Sequence, residues 1–277
     1  MSRFVRETNV TSVTSSLWHH SVLGLKAVVY GRRGEPYEVD GRTLRYVPGS
    51  RPIRPRYLHS PNRVNRFDAL QVEWFRTQLK EGDLAIDIGA HHGMYSVLMA
   101  AKCGKTGQVV AFEPDPYARK VLARNVDLNP SIKPPVVESC ACSDTVGGMT
   151  LFCGRGNALS SLARSAVESS LPEKPEEIQV PVVTLDSYLA GHNLPEPRCV
   201  KVDAEGAEIR VLKGATRVLA GNAFVLCELH PYAWPEFGNT FAELKELAAA
   251  HGRHIRYLDE DSEISGSPIY GVVILER

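Results

Sequence analysis

The sequence predicts an α/β fold built on a doubly wound, mostly parallel sheet. Three observations carry that expectation. From residue 67 onward, short apolar runs alternate with stretches of helical periodicity. The first apolar run ends in a glycine turn that opens directly into a helical stretch. The second ends in an acid, where such folds meet the ribose of a nucleotide-like ligand.

In chain order, the first feature is electrostatic. The chain of 277 residues is neutral, with 32 Lys+Arg against 32 Asp+Glu. Residues 1–65, however, hold eleven Lys/Arg and four acids. A basic N-terminal extension (1–65) therefore precedes an acidic body (66–277). The extension either solvates and docks as an ordinary charged segment or helps to hold an anionic substrate or partner. Within it, Asp40-Gly41 sits between alternating side chains of residues 37–46, the signal of a β-hairpin. Residues 47–64, rich in Pro, Arg and Ser, read as a linker.

The body begins with a helix in which Phe67, Leu70, Trp74, Phe75 and Leu79 recur at helical spacing. Strands are expected at Leu84–Ile88, Val109–Phe112, Val136–Cys140, Cys199–Val202, Phe224–Leu229, Ile255–Leu258 and Val272–Leu275. Helices are expected near Met94–Lys102, Pro116–Leu128, Glu208–Leu219 and Phe241–His251. The last two strands have no helical pattern between them and should form an antiparallel pair closing the sheet. Gly148–Cys153 and Ile178–Val183 read as extra strands. The long Ser- and Pro-bearing stretch Gly154–Pro175 between them is placed to act as a lid, with Asn157, Ser160 and Ser161 as polar contacts.

Composition excludes several classes. At 43% hydrophobic and 23% charged residues, the chain is neither disordered nor fibrous. Zero net charge disfavours a nucleic-acid coat, so nucleic acid is not an expected partner. No 18-residue apolar stretch is present, and no membrane role is expected. Six cysteines without a C-x-x-C pair suit a reducing, cytoplasmic setting, with buried thiols rather than metal ligands.

The first strand runs into Asp87-Ile88-Gly89-Ala90-His91-His92-Gly93. Gly89 permits a tight strand-to-helix turn. Gly93 permits close packing of the helix start, whose positive end faces a ligand. The spacing is G-x-x-x-G, which argues against an NAD(P)-dependent oxidoreductase. Glu113-Pro114 closes the second strand, where the acid can accept both hydrogen bonds of a ribose diol. Cys140-Ala141 at the third strand's end would wall an adenine. Asp87 either meets an ammonium group or only orders the turn. His91 and His92 support the loop. S-adenosylmethionine, a nucleoside with a cationic amino-acid tail and no pyrophosphate, fits this set.

Several blocks in fixed order carry a family resemblance: Asp87-Ile-Gly-Ala-His-His-Gly93, Phe112-Glu-Pro-Asp115, Ala141-Cys-Ser-Asp144, Thr184-Leu-Asp186, Val200-Lys-Val-Asp-Ala-Glu-Gly-Ala-Glu208, Leu212-Lys-Gly-Ala215 and Glu228-Leu-His230. Over about residues 67–230 the chain resembles the FkbM family of S-adenosylmethionine-dependent methyltransferases. The resemblance implies a class I methyltransferase (Rossmann-like) fold, a seven-stranded sheet with an antiparallel last strand. It also implies O-methylation of a hydroxyl on a natural product, sugar or nucleoside-like small molecule. The turn departs from the family pattern, with His91 where Asn is usual. The extension carries no family motif; it is an acceptor-side or assembly element through which a homo-oligomer could form. The alternatives are a methyltransferase acting on another atom or on RNA, and a non-catalytic binder of the cofactor.

The fourth and fifth strands end at the same crevice, in Asp203-Ala204-Glu205 and Glu228-Leu229-His230. A hydroxyl acceptor needs a base near its oxygen. His230 is the first candidate, by its near-neutral free pKa. Asp203 would orient the acceptor and Glu205 would bond a hydroxyl or the cofactor's tail. Lys201 could pair with Asp203 or act as a base. Three of these residues have purely structural alternatives: His230 fixing a turn, Glu205 as a first-turn helix acid, Lys201 as a partnered charge. Asp203, Glu228 and His230 also form an O/N donor set that would suit magnesium, manganese or calcium. No metal is expected.

Overall fold

The computed structural model describes residues 25–53, 57–59, 62–154, 160–168, 174–259 and 270–277. Asn157 and the first 24 residues of the basic extension lie outside them. A helical stretch over residues 25–30 and a 3₁₀ turn, Gly31–Arg33, lead into a hairpin, β1 (Glu35–Val39) and β2 (Arg42–Tyr46). Its turn residues Asp40 and Gly41 both have positive φ, 46° and 73°, as a two-residue primed turn requires. The hairpin's inner side chains Tyr37, Val39, Leu44 and Tyr46 join one apolar cluster with Phe75, Leu98 and Met99 of the body. Asn125 and Asn129 tie down the end of its second strand and the residue after it, accepting from the amides of Val47 and Arg45 respectively.

The main sheet has the order β12-β13-β11-β10-β3-β4-β5. Its central strands β3 (Leu84–Ile88), β4 (Gln108–Phe112), β10 (Cys199–Val202) and β11 (Phe224–Leu229) run parallel, as does β5 (Val136–Glu138) beside β4. Every residue of β3 and β10 is buried, which is why both read as continuous apolar runs with only Asp87 and Lys201 interrupting. The last strand, β13 (Gly271–Glu276), is antiparallel to both β11 and β12 (His254–Tyr257), as expected for a closing pair. The register sets Lys201 beside Asp87 and beside Leu226, so the turns after β3, β4, β10 and β11 emerge along one edge.

Between β5 and β10 the chain builds a second sheet of order β6-β9-β7-β8, in which β8 is the short strand Ser160–Ser161. Its long pair, β7 (Gly147–Cys153) and β9 (Glu176–Val183), is antiparallel and matches the two extra strands expected. The third expected strand ends early, at Glu138 rather than Cys140. The chain leaves the main sheet there, and β6 (Ala141–Cys142) pairs with β9 instead. The expected helix Glu208–Leu219 is two helices, Glu208–Lys213 and Thr216–Ala220. Gly214 breaks it, lying where a Cβ would come within 2.0 Å of the Ser143 carbonyl oxygen. The supposed linker is pinned as well: Ser50 is buried and bonded to Asn125.

Tyr46 is fully buried and its hydroxyl donates to the Met94 carbonyl at 3.2 Å. Tyr46→Ala is expected to lower stability by about 3–5 kcal/mol, read as a fall in denaturation midpoint at unchanged slope. A loss below about 1 kcal/mol would mean that the hairpin is only loosely attached.

Candidate active site

The turn after β3 is built by backbone geometry. The amides of Gly89 and Ala90 both donate to the Phe112 carbonyl oxygen at 3.0 Å, tying the ends of β3 and β4 together. Gly89 has φ 75°, and a Cβ there would lie 1.8 Å from the Asp203 carbonyl oxygen, so no side chain fits. Gly93, at φ 72°, starts the helix Met94–Cys103 against Leu122. His91 is also left-handed, at φ 49°. Asn adopts that conformation readily, which gives a physical reason for the residue usual at this turn.

Glu113 closes β4 and is buried. Its two carboxylate oxygens each accept one backbone N–H, from His91 at 2.6 Å and from Asp115 at 2.8 Å. Burial pushes its pKa up to about 7. Each oxygen keeps a second lone pair, the capacity that a ribose diol needs. Glu113, Pro114, Ala141 and Gly89 line one crevice together with apolar Ile88, Phe112, Leu151 and Leu162. A flat base with a polar sugar edge suits such walls. Cys142, not Cys140, lines this crevice. Asp87 lies beneath it, almost wholly buried, accepting from Ser96 Oγ at 2.5 Å. Burial raises its pKa. The candidate lid enters here as β8 (Ser160–Ser161). Ser160 donates to the Asp115 carboxylate at 2.6 Å and Ser161 to the Glu205 carbonyl at 2.6 Å, bridging two rims of the crevice.

Beside this crevice, β10 and β11 deliver an acidic mouth. Asp203 accepts from Lys201 Nζ at 3.0 Å, and its Oδ1 has no hydrogen-bond partner among the described residues. Burial would raise its pKa, but the charges of Lys201 and His230 outweigh that and hold it low. Glu205 occupies a left-handed turn at φ 47°. Its Oε2 meets His230 Nε2 at 3.1 Å, while His230 Nδ1 meets Glu208 Oε1 at 2.9 Å. Burial alone would lower the His230 pKa. The hydrogen bond to Glu208 and the surrounding acids push it up to about 10. The near-neutral value expected from the free imidazole does not hold here: at neutral pH His230 is an imidazolium held between Glu208 and Glu205, and burial, then the Asp203 charge, push the Glu205 carboxyl up to about 8.

Glu228 accepts from the Tyr270 hydroxyl. Its carboxyl is pushed up to about 7, first by burial and then by the Asp203 charge. Asp203, Glu228 and His230 each bring one donor atom within 4.8 Å of the others. Lys201 and His230 supply positive charge to these carboxylates from the protein itself.

Two participants were not singled out by the sequence. Glu208 is fully buried and fixed by Gly206 N at 2.6 Å and Trp234 Nε1 at 2.7 Å. On sequence it is an ordinary first-turn helix acid. Tyr270 stands 42 residues from Glu228, and no local pattern joins them.

With this geometry in view, likenesses to known proteins can be placed. A family profile described as methyltransferase FkbM domain matches residues 87–258. The hexuronic acid methyltransferase AglP of Haloferax volcanii is 29% identical over 55% of this chain, which spans 58% of that protein's length. The 31-O-demethyl-FK506 methyltransferase FkbM of Streptomyces tacrolimicus is 25% identical over 70% of this chain and 81% of its own. A crystal structure of methyltransferase FkbM from Methylobacillus flagellatus superposes with a TM-score of 0.50 at 15% identity, covering 81% of this chain and 50% of that one. That likeness is one of fold.

Glu113→Ala is expected to weaken binding of S-adenosylhomocysteine by about 1.5–3 kcal/mol, roughly 10- to 100-fold. Titration calorimetry reads it directly. An unchanged dissociation constant would remove Glu113 from the ribose position.

Proposed function

The chain belongs to the FkbM methyltransferase family, and we propose that it transfers the methyl group of S-adenosylmethionine to a hydroxyl oxygen of a small polyhydroxylated acceptor. The observation that carries this reading is the juxtaposition of a crevice that joins apolar walls to the Glu113 carboxylate with the carboxylates of Asp203 and Glu228, whose donor atoms stand with His230 within 4.8 Å. The name of one relative, which acts on a 31-O-demethyl compound, supports an oxygen acceptor; another acts on a hexuronic acid, a polyhydroxylated compound that also carries a carboxylate.

When bound, S-adenosylmethionine supplies a methyl group on a sulfonium that leaves readily. What the protein must add is alignment and removal of the acceptor's proton. Gly89 and the backbone of Asp203 close the floor of the crevice, and Glu113 holds its sugar edge. Asp203, kept ionised by Lys201, accepts a hydrogen bond from the acceptor and orients it. Glu228 takes the proton. Its carboxyl, raised to about 7, ionises near neutral pH, where a base combines availability with proton affinity. His230, as imidazolium, holds Glu205 and Glu208 in place and offsets the charge of the mouth. The role first given to His230 thus passes to Glu228, and His230 and Glu205 become positioning residues.

The sign of the pH dependence follows from the raised carboxyl. Below about pH 7 Glu228 carries its proton and cannot accept another; above it the carboxylate is free. The turnover number should therefore rise with pH through about 7. Glu228→Gln should lower it by about 10²–10⁴-fold and abolish that limb, at an unchanged affinity for S-adenosylhomocysteine. A Gln variant that keeps the limb would return the base role to another group.

A further inference from the structure

Gly89 and Asp203 line not only the cofactor crevice but also a second cavity, which runs outward over the turn of His91 and His92 to the N-terminal segment. Because the two spaces share Gly89 and Asp203, the second cavity opens where the methyl group would be handed over. Its inner end is electrically balanced, Lys201 facing Asp203. The wall histidines add no charge at neutral pH: burial lowers the His91 pKa and brings that of His92 down to about 4.

The outer end is not balanced. Lys26 Nζ at 2.9 Å and Arg51 Nε at 2.5 Å both meet a single oxygen, Glu35 Oε1. Glu35 is buried to all but 4% of its surface, and its Oε2 has no hydrogen-bond partner among the described residues. Burial would raise its pKa, but Arg51 and Lys26 keep it ionised. Two cations on one carboxylate leave one positive charge in surplus. Because both reach the same oxygen, their nitrogens are close neighbours. Arg51 spends Nη1 on the Pro52 carbonyl, and among the described residues no hydrogen bond engages its Nη2. Both side chains keep partial exposure, 29% for Lys26 and 19% for Arg51.

We infer that Lys26 and Arg51, held in place by Glu35, form a carboxylate-binding site at the outer end of this cavity. A single negative charge matches the single surplus, and two adjacent N–H donors match the two oxygens of a carboxylate. The site rests on the methyltransferase reading and sharpens it. The carboxylate belongs either to the amino-acid end of the cofactor or to an acidic acceptor such as a uronic acid.

Calorimetry on the full chain and on Arg51→Gln and Lys26→Met separates the sources, with thermal melting to confirm that both variants fold. If the site holds the cofactor, both variants weaken S-adenosylhomocysteine at least tenfold and leave 5′-methylthioadenosine, which lacks the carboxylate, unchanged. If it holds the acceptor, S-adenosylhomocysteine is unaffected. The wild type saturated with it then binds glucuronate in preference to glucose, and both variants lose glucuronate at least tenfold. The site is overturned if S-adenosylhomocysteine and glucuronate are bound equally by all three proteins. It is equally overturned if the wild type does not prefer glucuronate and S-adenosylhomocysteine is unaffected. Equal weakening of S-adenosylhomocysteine and 5′-methylthioadenosine also counts against it. Failure of the wild type to bind S-adenosylhomocysteine at all would sink the methyltransferase reading itself, and the carboxylate site with it.

Discussion

A buried ammonium group organises the candidate site. Lys201 is 2% exposed, in the middle of the central strand β10, with the aromatic ring of Tyr95 5.1 Å away. An ion in that position is tolerated only if carboxylates surround it. Asp87 is its register partner on β3, Asp203 bonds it directly, and the Glu228 charge also favours it. These charges raise its pKa against the opposing effect of burial, so it stays an ammonium. One cation thereby fixes acids from three adjacent strand ends along one edge of the sheet. The geometry is tight as well as charged, since the backbones at Gly89 and Asp203 approach too closely for any side chain at 89.

His230 repeats the arrangement one strand further on. Its ring is gripped at both nitrogens, by Glu205 and by Glu208, and Glu208 is itself held by Trp234 and the Gly206 amide. A protonated ring bonded at both nitrogens to acidic side chains is an orienting cation and a poor proton acceptor. The two protein cations divide the acids into groups with different tasks. Glu205 and Glu208 brace the imidazolium. Asp203 is locked ionised beside Lys201. Glu228, raised by burial and by the Asp203 charge against the opposing hydrogen bond from Tyr270, is left titrating near neutrality. Environment, rather than residue type, separates these roles.

Much of the frame was legible because it is local. The runs Leu84–Ile88, Cys199–Val202 and Phe224–Leu229 are strands with the boundaries read from the sequence, since strands buried on both faces cannot hide their composition. Asp40-Gly41 and Gly89 were legible because their conformations exclude most other residues. The helix Leu185–Gly191 was missed: it is only seven residues long and its clearest signal is the Thr184 cap, too little to stand out from a loop. The pairing of β6 with β9 was missed because a two-residue strand carries no periodicity. In the site, the residue types at Asp203, Glu205 and His230 could be read from strand ends. Their protonation could not. The His230 pKa depends on Glu208, and Glu208 reaches it only because a helix start returns beneath the end of β11.

The neutral composition of the chain conceals one further consequence of the fold. The basic N-terminal segment divides its residues by function as the hairpin docks. The apolar face of β1 and β2 goes into the core with Tyr37 and Tyr46, and Arg42 is spent on the Ala101 carbonyl. Asp40 takes Arg76 and Lys102 from the body, so at this contact the acid lies on the extension and the cations on the body. Charge at the docked face is thus reversed relative to the segment as a whole. Two other cations of the segment, Lys26 and Arg51, meet at Glu35 on the rim of the cavity that leads to Asp203. A segment without a catalytic motif thus shares a cavity with Asp203 through this rim, and is held there by the same core packing that fixes the hairpin.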